Sequence, residues 1–349
     1  MGVAPQLARA YALARAHRTT HPNPRVGAVV VSAGGTVLGE GAHERVGGPH
    51  AEVVALDRAG EARGATVYVS LEPCSHQGRT PPCVARLIDE GVARVVVGTL
   101  DPDPQVSGRG VAALEAAGVE VEVIEDPEAR SVDPGYFHHR ETGMPLVTIK
   151  WAMTLDGSVA ALDGSSQWIT GEMARREGHE LRSQVDAVVV GAGTLRADDP
   201  GLDVRLDGYE GPQPRPVIVA GQAPLPEDAR IWGRDPIVVT AFDRYIPKGE
   251  LVLVNGSDGA CDPVSVCTTL ADLGLLHLLL EGGPTLAGAW WRAGVIAEGF
   301  VHIGAKVGGG TGRSPMAGVF ATIADADAVE FEMVRNVSDD VVIAFRKKS

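Results

Sequence analysis

A chain of 349 residues exceeds the usual size of one compact domain, and its 44% apolar content is ample for real cores. The formal charge of −14 falls on both halves, −5 over residues 1–145 and −9 over the rest, which excludes the basic footprint that a phosphate backbone demands. Four cysteines are too few for a disulfide scaffold, the N-terminal residues carry no secretory pattern, and no uncharged apolar stretch approaches the roughly 20 residues that cross a bilayer. The expectation is a cytoplasmic protein that acts on a small molecule, with no nucleic-acid and no membrane partner.

The first half alternates helical and strand patterns. Leu7, Ala10, Tyr11 and Ala14 recur at helical spacing. Val26–Val31 and Thr36–Gly41 predict two strands around a turn at Gly34-Gly35. A helix is expected from His50, after Pro49, to about Ala59. Next come a strand over Ala65–Leu71, a helix over Pro82–Glu90, a strand over Arg94–Gly98, a helix over Arg109–Ala117 and a strand over Val119–Ile124. About five strands covered by helices make an α/β sandwich.

The segment Asp126–Pro145, with Pro127, Asp133-Pro134-Gly135, His138-His139-Arg140 and Gly143, reads as a junction. Beyond it a second α/β series begins at Leu146–Met153, with a helix over Glu172–Ser183 and a strand over Ala187–Gly191. Further strands are expected at Val217–Ala220, Ile237–Thr240, Leu251–Val254 and Leu276–Glu281, then a helix over Leu286–Ala293. Two long strand patterns close the chain, Gly299–Lys306 and Val329–Phe345 with a break near Ser338. No internal repeat is visible, so residues 1–145 and 146–349 are expected to be two domains of different fold.

The most informative constellation is His50-Ala51-Glu52, followed by Pro73-Cys74 and Pro82-Cys83. One imidazole and two thiols offer zinc three of the four ligands it prefers and keep one position open. Zinc lowers the pKa of a bound water toward neutrality. Glu52, two residues after the imidazole, is placed to take that proton, deliver it to a ring nitrogen and help ammonia leave. Ligands at helix starts meet partial positive charge, which favours thiolates. Cys261 and Cys267 read as ordinary free thiols.

These residues and their surroundings resemble the bifunctional riboflavin-biosynthesis deaminase/reductase family over nearly the whole chain. The resemblance rests on His21-Pro22-Asn23-Pro24-Arg25-Val26-Gly27, Gly48-Pro49-His50-Ala51-Glu52, the run from Leu71-Glu72-Pro73-Cys74 to Pro82-Cys83, and Asp101-Pro102. The eight residues between the cysteines set this pattern apart from cytidine and tRNA adenosine deaminases, where two are usual. The resemblance implies a cytidine-deaminase-like α/β/α sandwich followed by a dihydrofolate-reductase-like α/β domain. It implies Zn2+ on His50, Cys74 and Cys83, with Glu52 catalytic. The substrate is then 2,5-diamino-6-(ribosylamino)-4(3H)-pyrimidinone 5′-phosphate, which loses its 2-amino group. Asn23, His76, Arg79, Thr80 and Asp101 would border it. Asn23 reads otherwise as a turn residue between prolines, and Asp101 as a turn or cap residue. Relatives often carry His where this chain has Val54.

In the second half no Gly-x-Gly-x-x-Gly follows the first strand, which argues against the ordinary dinucleotide fold. Gly191-Ala192-Gly193-Thr194 and Glu281-Gly282-Gly283-Pro284-Thr285 each follow a strand and suit a phosphate approach. The same family resemblance extends over Thr154-Leu155-Asp156-Gly157, Ser165-Ser166-Gln167-Trp168-Ile169-Thr170, Leu181-Arg182 and Thr194 to Pro200. It implies NADPH lined by Ala152, Trp168, Thr170, Thr194, Asp198, Gly282, Gly283, Pro284, Thr285, Leu286 and Ala287. Ser166, Arg182, Leu202, Arg205 and Glu281 would face the substrate, whose ribosyl group is reduced to ribityl. Bland readings stand beside these: Arg182 as a solvated helix residue, Arg205 as a surface ion-pair member, Trp168 as core. The role of Asp156 is left open. Relatives often carry Asp where Ala220 and Ala297 stand, so a deaminase whose second domain only supports assembly or substrate binding is the alternative. The resemblance also implies a homodimer or homotetramer.

Overall fold

The computed structural model describes residues 4–76, 81–104, 106–310, 312–318 and 322–348. It divides into two compact units, Met1–Gly143 and Met144–Ser349. Among the described residues no helix is long and apolar enough to cross a membrane.

The first unit runs α1 (Pro5–Arg15), β1 (Gly27–Val31), β2 (Val37–Ala42), α2 (Ala51–Ala59), β3 (Thr66–Val69), α3 (Cys83–Asp89), β4 (Arg94–Val97), α4 (Arg109–Ala116), β5 (Glu120–Val123), α5 (Pro127–Ser131) and α6 (Pro134–Thr142). Its five-stranded sheet has the order β2-β1-β3-β4-β5. β1 is antiparallel to β2 and β3, while β3, β4 and β5 run parallel. The fully buried run Gly-Ala-Val-Val-Val of β1 fits its interior place in the sheet. Helix α2 lies directly on β2: a Cβ on Gly41 would stand 2.4 Å from the Ala51 carbonyl oxygen, so only glycine admits the first turn of α2 there.

The segment expected as a plain junction instead folds into α5 and α6. Asp126 and Asp133 are their N-caps, accepting from the amides of Glu128 and Tyr136, and each precedes a proline in the first turn. A proline that punctuates a linker is equally at home at a helix start, where its missing N–H costs nothing.

The second unit runs β6 (Leu146–Thr154), α7 (Glu172–Arg182), β7 (Ala187–Gly191), α8 (Ala192–Asp198), β8 (Arg215–Ala220), β9 (Ile237–Thr240), β10 (Glu250–Leu253), β11 (Gly256–Ser257), β12 (Ala260–Cys261), α9 (Pro263–Asp272), β13 (His277–Gly282), α10 (Pro284–Arg292), β14 (Glu298–Gly304), β15 (Val329–Val337) and β16 (Asp340–Lys347). The nine-stranded sheet has the order β10-β9-β8-β7-β13-β6-β14-β16-β15. It is parallel from β10 to β14 and antiparallel at β16 and β15. Apolar side chains fill both faces. Val147, Ile149, Val189, Val217, Leu278 and Leu280 join one cluster, while Val188, Val190, Ile218, Val238 and Leu279 join another. Strands covered on both sides read as continuous apolar runs. The polar-looking stretch after Cys261 contains α9, capped by Asp262, which buries Cys267 in the core; both thiols are free.

Candidate functional site

The three metal-ligand candidates of the first unit converge. His50 occupies the N-cap position of α2 without using its side chain as a cap, which leaves the imidazole free for other work. Cys83 opens α3 and Cys74 lies in the loop before it. His50 Nδ1 stands 3.1 Å from Cys83 Sγ and 3.5 Å from Cys74 Sγ, and the Cys83 amide donates to Cys74 Sγ at 3.4 Å. All three donor atoms lie within 4.8 Å of one another. A tetrahedral zinc with ordinary Zn–S and Zn–N bonds separates such ligand atoms by roughly 3.5–3.8 Å. One nitrogen and two sulfurs in this arrangement fit zinc with adjustments on the order of an ångström.

The electrostatics suit a cation. The two thiols titrate as a pair. The hydrogen bond from the Cys83 thiol, with help from His50 and the Cys83 amide, pulls Cys74 well below the usual thiol range, and the proton left on Cys83 is held tightly. Glu52, in the first turn of α2, is 3% exposed; burial first, and the nearby Cys74 charge second, push its carboxyl up to about 7. A carboxyl near neutrality can both hold and release a proton.

Around this centre the structure places the other candidates of the first half on two tethers. Asn23 Nδ2 meets His43 Nε2 at 3.2 Å, and His43 Nδ1 meets the Pro49 carbonyl at 3.0 Å, with the His43 and His50 rings edge to face at 5.4 Å. Asp101 is buried, accepts from the Tyr136 hydroxyl at 3.1 Å and from the Asp103 amide at 2.8 Å, and is pushed up to about 6 chiefly by burial. Asp133 holds the Asn23 segment from α6: it meets His21 Nε2 at 2.8 Å and accepts from the Arg25 amide at 2.9 Å. His76 is exposed. Arg79 and Thr80 lie outside the described residues.

Sequence reasoning passed over Glu72. This buried carboxylate accepts from the amides of Asp101, Gly108, Gly110 and Val111 at 2.8–3.3 Å. It ties the metal-ligand loop to the segment that carries Asp101. A Cβ on Gly110 would stand 2.0 Å from the Pro73 carbonyl oxygen, so the two segments touch backbone to backbone. An acid between two apolar positions of Leu71-Glu72-Pro73 was the available signal. His43 and Asp133 were missed too, because their partners are remote in sequence.

In the second unit Arg182 and Glu281 form a bidentate pair, both bonds 2.6 Å, at 14% and 13% side-chain exposure. Arg182 is therefore not a solvated helix residue. Lys150, in the middle of β6 and passed over in the sequence, is half-buried within reach of the Glu281 and Arg182 charges; desolvation pushes its ammonium below the usual lysine range. Arg205 bonds Asp203 at 3.1 Å, and its amide reaches His179 Nδ1 at 3.2 Å, so these residues gather with Arg182, which donates to the Asp203 carbonyl at 2.9 Å. Leu202 is 1% exposed and its side chain belongs to the core; its φ of +51° leaves the backbone as what it can present to a ligand.

The cofactor candidates line the carboxyl ends of the parallel strands. Gly283, between β13 and α10, donates its amide to Thr194 Oγ1 on α8 at 3.1 Å, which joins the two glycine turns. Pro284, Thr285, Leu286 and Ala287 form the first turn of α10. Ala152 is on β6 and Asp198 ends α8, its carboxyl raised by burial. Ser166 and Trp168 share a cavity of about 320 Å³ with Thr154 and Lys306. Trp168 is 57% exposed under the Arg175 guanidinium, so it is not core, and the buried Thr170 accepts from Arg175 at its carbonyl. Asp156 accepts from the amides of Gly308, Gly309 and Gly310 at 2.8–3.1 Å, which makes it the anchor of that glycine loop.

Known proteins match this chain along its length. Residues 145–343 match the family described as RibD C-terminal domain, and residues 5–99 match the cytidine and deoxycytidylate deaminase zinc-binding region. The riboflavin biosynthesis protein RibD of Aquifex aeolicus is 40% identical over 94% of this chain and 93% of its own length. That of Escherichia coli is 40% identical over 97% of both. The crystal structure of Acinetobacter baumannii RibD superposes with a TM-score of 0.88 at 34% identity, covering 98% of each chain. A Thermotoga maritima diaminohydroxyphosphoribosylaminopyrimidine deaminase/5-amino-6-(5-phosphoribosylamino)uracil reductase gives 0.85 at 32%, also over 98% of each.

Proposed function

The chain belongs to the RibD family of riboflavin biosynthesis, and from that premise we propose how its residues divide the work. It is a bifunctional enzyme, in which zinc-dependent deamination is followed by NADPH-dependent reduction. In our reading residues 1–145 carry the deamination and residues 146–349 the reduction. The substrate is the phosphorylated diaminopyrimidine 2,5-diamino-6-(ribosylamino)-4(3H)-pyrimidinone 5′-phosphate, and the product is 5-amino-6-(ribitylamino)uracil 5′-phosphate. The protein works in the cytoplasm as a homodimer or homotetramer.

Zinc on His50, Cys74 and Cys83 supplies Lewis-acid activation of water. Glu52 then receives a proton at its carboxylate and returns it first to the ring nitrogen and later to the departing amine. Its burial keeps the proton within the site. Asn23, oriented by His43, offers the pyrimidine both a donor and an acceptor. Asp101 and His76 close the rim, and the family resemblance assigns Arg79 and Thr80 to the substrate as well.

NADPH supplies the hydride for the second step. The close backbone of the Gly282–Gly283 turn and the Thr285 and Leu286 amides that open α10 would hold its pyrophosphate, with Ala152, Trp168, Thr170, Thr194, Asp198 and Ala287 along its length. Ser166, Arg182, Arg205, Glu281 and the Leu202 backbone position the ribosyl phosphate, the arginine forks matching phosphate oxygens. The convergence of His50, Cys74 and Cys83 beside the buried Glu52 carries the reading. Incubating the protein with the diamino substrate, with and without NADPH, and weighing the products tests it. A mass change of one deamination is expected without cofactor, and a further gain of two hydrogens with it. Unchanged substrate in both mixtures refutes it.

A further inference from the structure

The parallel strands present their carboxyl ends in the order β9, β8, β7, β13, β6, β14 along one edge of the sheet, each step about 4.8 Å. The substrate-facing group of Lys150, Arg182 and Glu281 lies at β6 and β13. The Gly283–Thr194 bond marks the joined turns of β13 and β7. A dinucleotide whose pyrophosphate rests on those turns and whose nicotinamide faces the substrate runs in the other direction with its adenosine, over β8 and β9.

Two arginines meet there. Arg244, just beyond β9, donates to the Gly221 carbonyl at 2.7 Å and to the Ala223 carbonyl at 3.1 Å, and its Nε is buried without a hydrogen-bond partner. Arg196, on α8, donates to the Pro224 carbonyl at 3.1 Å. Both guanidinium groups thus gather on residues 221–224, the turn that leaves β8. Among the described residues neither has a carboxylate within salt-bridge distance, and, unlike Arg175, Arg234 and Arg292, which also bond only backbone carbonyls, these two share one turn. β8 itself ends in Ala220, so the strand end carries no acid. A guanidinium fork matches the oxygens of a phosphate monoester such as a 2′-phosphate.

We propose that Arg196 and Arg244 form the subsite for the 2′-phosphate of NADPH and so set the preference for NADPH over NADH. This rests on the reading that the pyrophosphate lies on the Gly282–Thr285 turn. Arg244 also ties the 221–224 turn together, so its removal disturbs structure. Arg196 makes a single exposed contact and is the cleaner probe.

The test is a fluorescence titration of the zinc-loaded full-length protein with NADPH, NADH, 2′,5′-ADP and 5′-ADP. Wild type is expected to bind 2′,5′-ADP more tightly than 5′-ADP. Arg196→Ala weakens NADPH and 2′,5′-ADP about tenfold and leaves NADH and 5′-ADP unchanged, the loss of one charge-assisted contact. Arg196→Glu widens the gap, and Arg244→Lys, which keeps the charge, falls between. Equal weakening of NADPH and NADH in Arg196→Ala, or none, overturns the proposal. Gly283→Val separates the two readings, because a Cβ there stands 3.1 Å from Thr194 Oγ1. Loss of both cofactors in the same proportion supports the pyrophosphate turn; undiminished binding of both removes the crevice and the subsite argued from it.

Discussion

The two halves of this protein build their sites by different means. In the first, side chains carry the chemistry: an imidazole and two thiols from neighbouring helix starts and a loop, no more than 33 residues apart, with a buried acid in the same turn as the imidazole. In the second, much of the proposed cradle is backbone, and the groups that matter come together across long separations, 99 residues for the Arg182 and Glu281 side chains and 89 for the Gly283 amide and Thr194. A metal ligand must be one of a few residue types, so its identity is written in the chain. A backbone amide belongs to every residue but proline, so a cradle of amides is written mainly in its glycines.

Stripping the metal should separate the halves most sharply. A strong zinc chelator, or Cys83→Ser, is expected to abolish ammonia release while NADPH oxidation on the deaminated intermediate persists. A parallel fall in both rates would break the picture of two independent sites. Glu52→Gln comes next: zinc content by atomic absorption stays at the wild-type level, and deamination falls about 10³-fold, the scale of a lost proton shuttle. Ammonia release at the wild-type rate would remove Glu52 from the mechanism.

The corresponding cut in the second half is Arg182→Ala. It leaves the Glu281 carboxylate buried with Lys150 as its remaining nearby cation. Breaking a largely buried pair from one side costs about 3 kcal/mol of stability, and, as a separate effect, loss of the guanidinium's contact with substrate should lower kcat/KM for reduction roughly 10²-fold. Deamination should be untouched. Adding Glu281→Gln should restore much of the stability but none of the rate, because the stranded charge is gone while the substrate contact is still missing. Denaturant unfolding beside steady-state kinetics distinguishes the two; recovery of rate would make the pair structural only.

The legibility of each region follows from that contrast. The antiparallel β1–β2 pair, the alternating helices and strands, and the metal triad could be read from period, glycine turns and residue type. What escaped was long-range or double-meaning. Glu72 gathers four amides that no local pattern announces. Lys150 sits in an apolar strand where a lysine is out of place, a signal whose meaning depends on Glu281 far along the chain. Asp126-Pro127 and Asp133-Pro134 are linker composition and helix starts at once, and only the tertiary contacts of α5 and α6 decide between them. Leu202 kept its place in the pattern, but its side chain faces the core and its backbone conformation is the unusual feature.

The smallest effect concerns acid. His302 on β14 is 1% exposed, and neither ring nitrogen has a hydrogen-bond partner. Glu177 lies 3.5 Å away, but its carboxylate is already held by Arg335 at 2.7 Å. Burial, with the Lys150 and Arg335 charges, lowers the imidazole to about 3. Above the unfolded value of about 6.5 both states are neutral. Below it the unfolded chain takes up a proton that the folded chain refuses. Stability from His302 is therefore complete above about 6.5 and is lost as pH falls toward 3, by at most about 1.4 kcal/mol per pH unit. In the first unit burial would raise Asp133, but His21 and Arg25 outweigh it and hold the carboxyl at about 2, so its stability is lost only between about 4 and 2. All five tryptophans lie in the second unit, so their fluorescence reports its unfolding alone. Urea midpoints followed this way should decline between pH 6 and pH 4 in the wild type. In His302→Gln, which cannot take the proton, they should decline less steeply even if the variant starts less stable. Equal slopes in the two proteins would assign the acid sensitivity of the second unit to other groups.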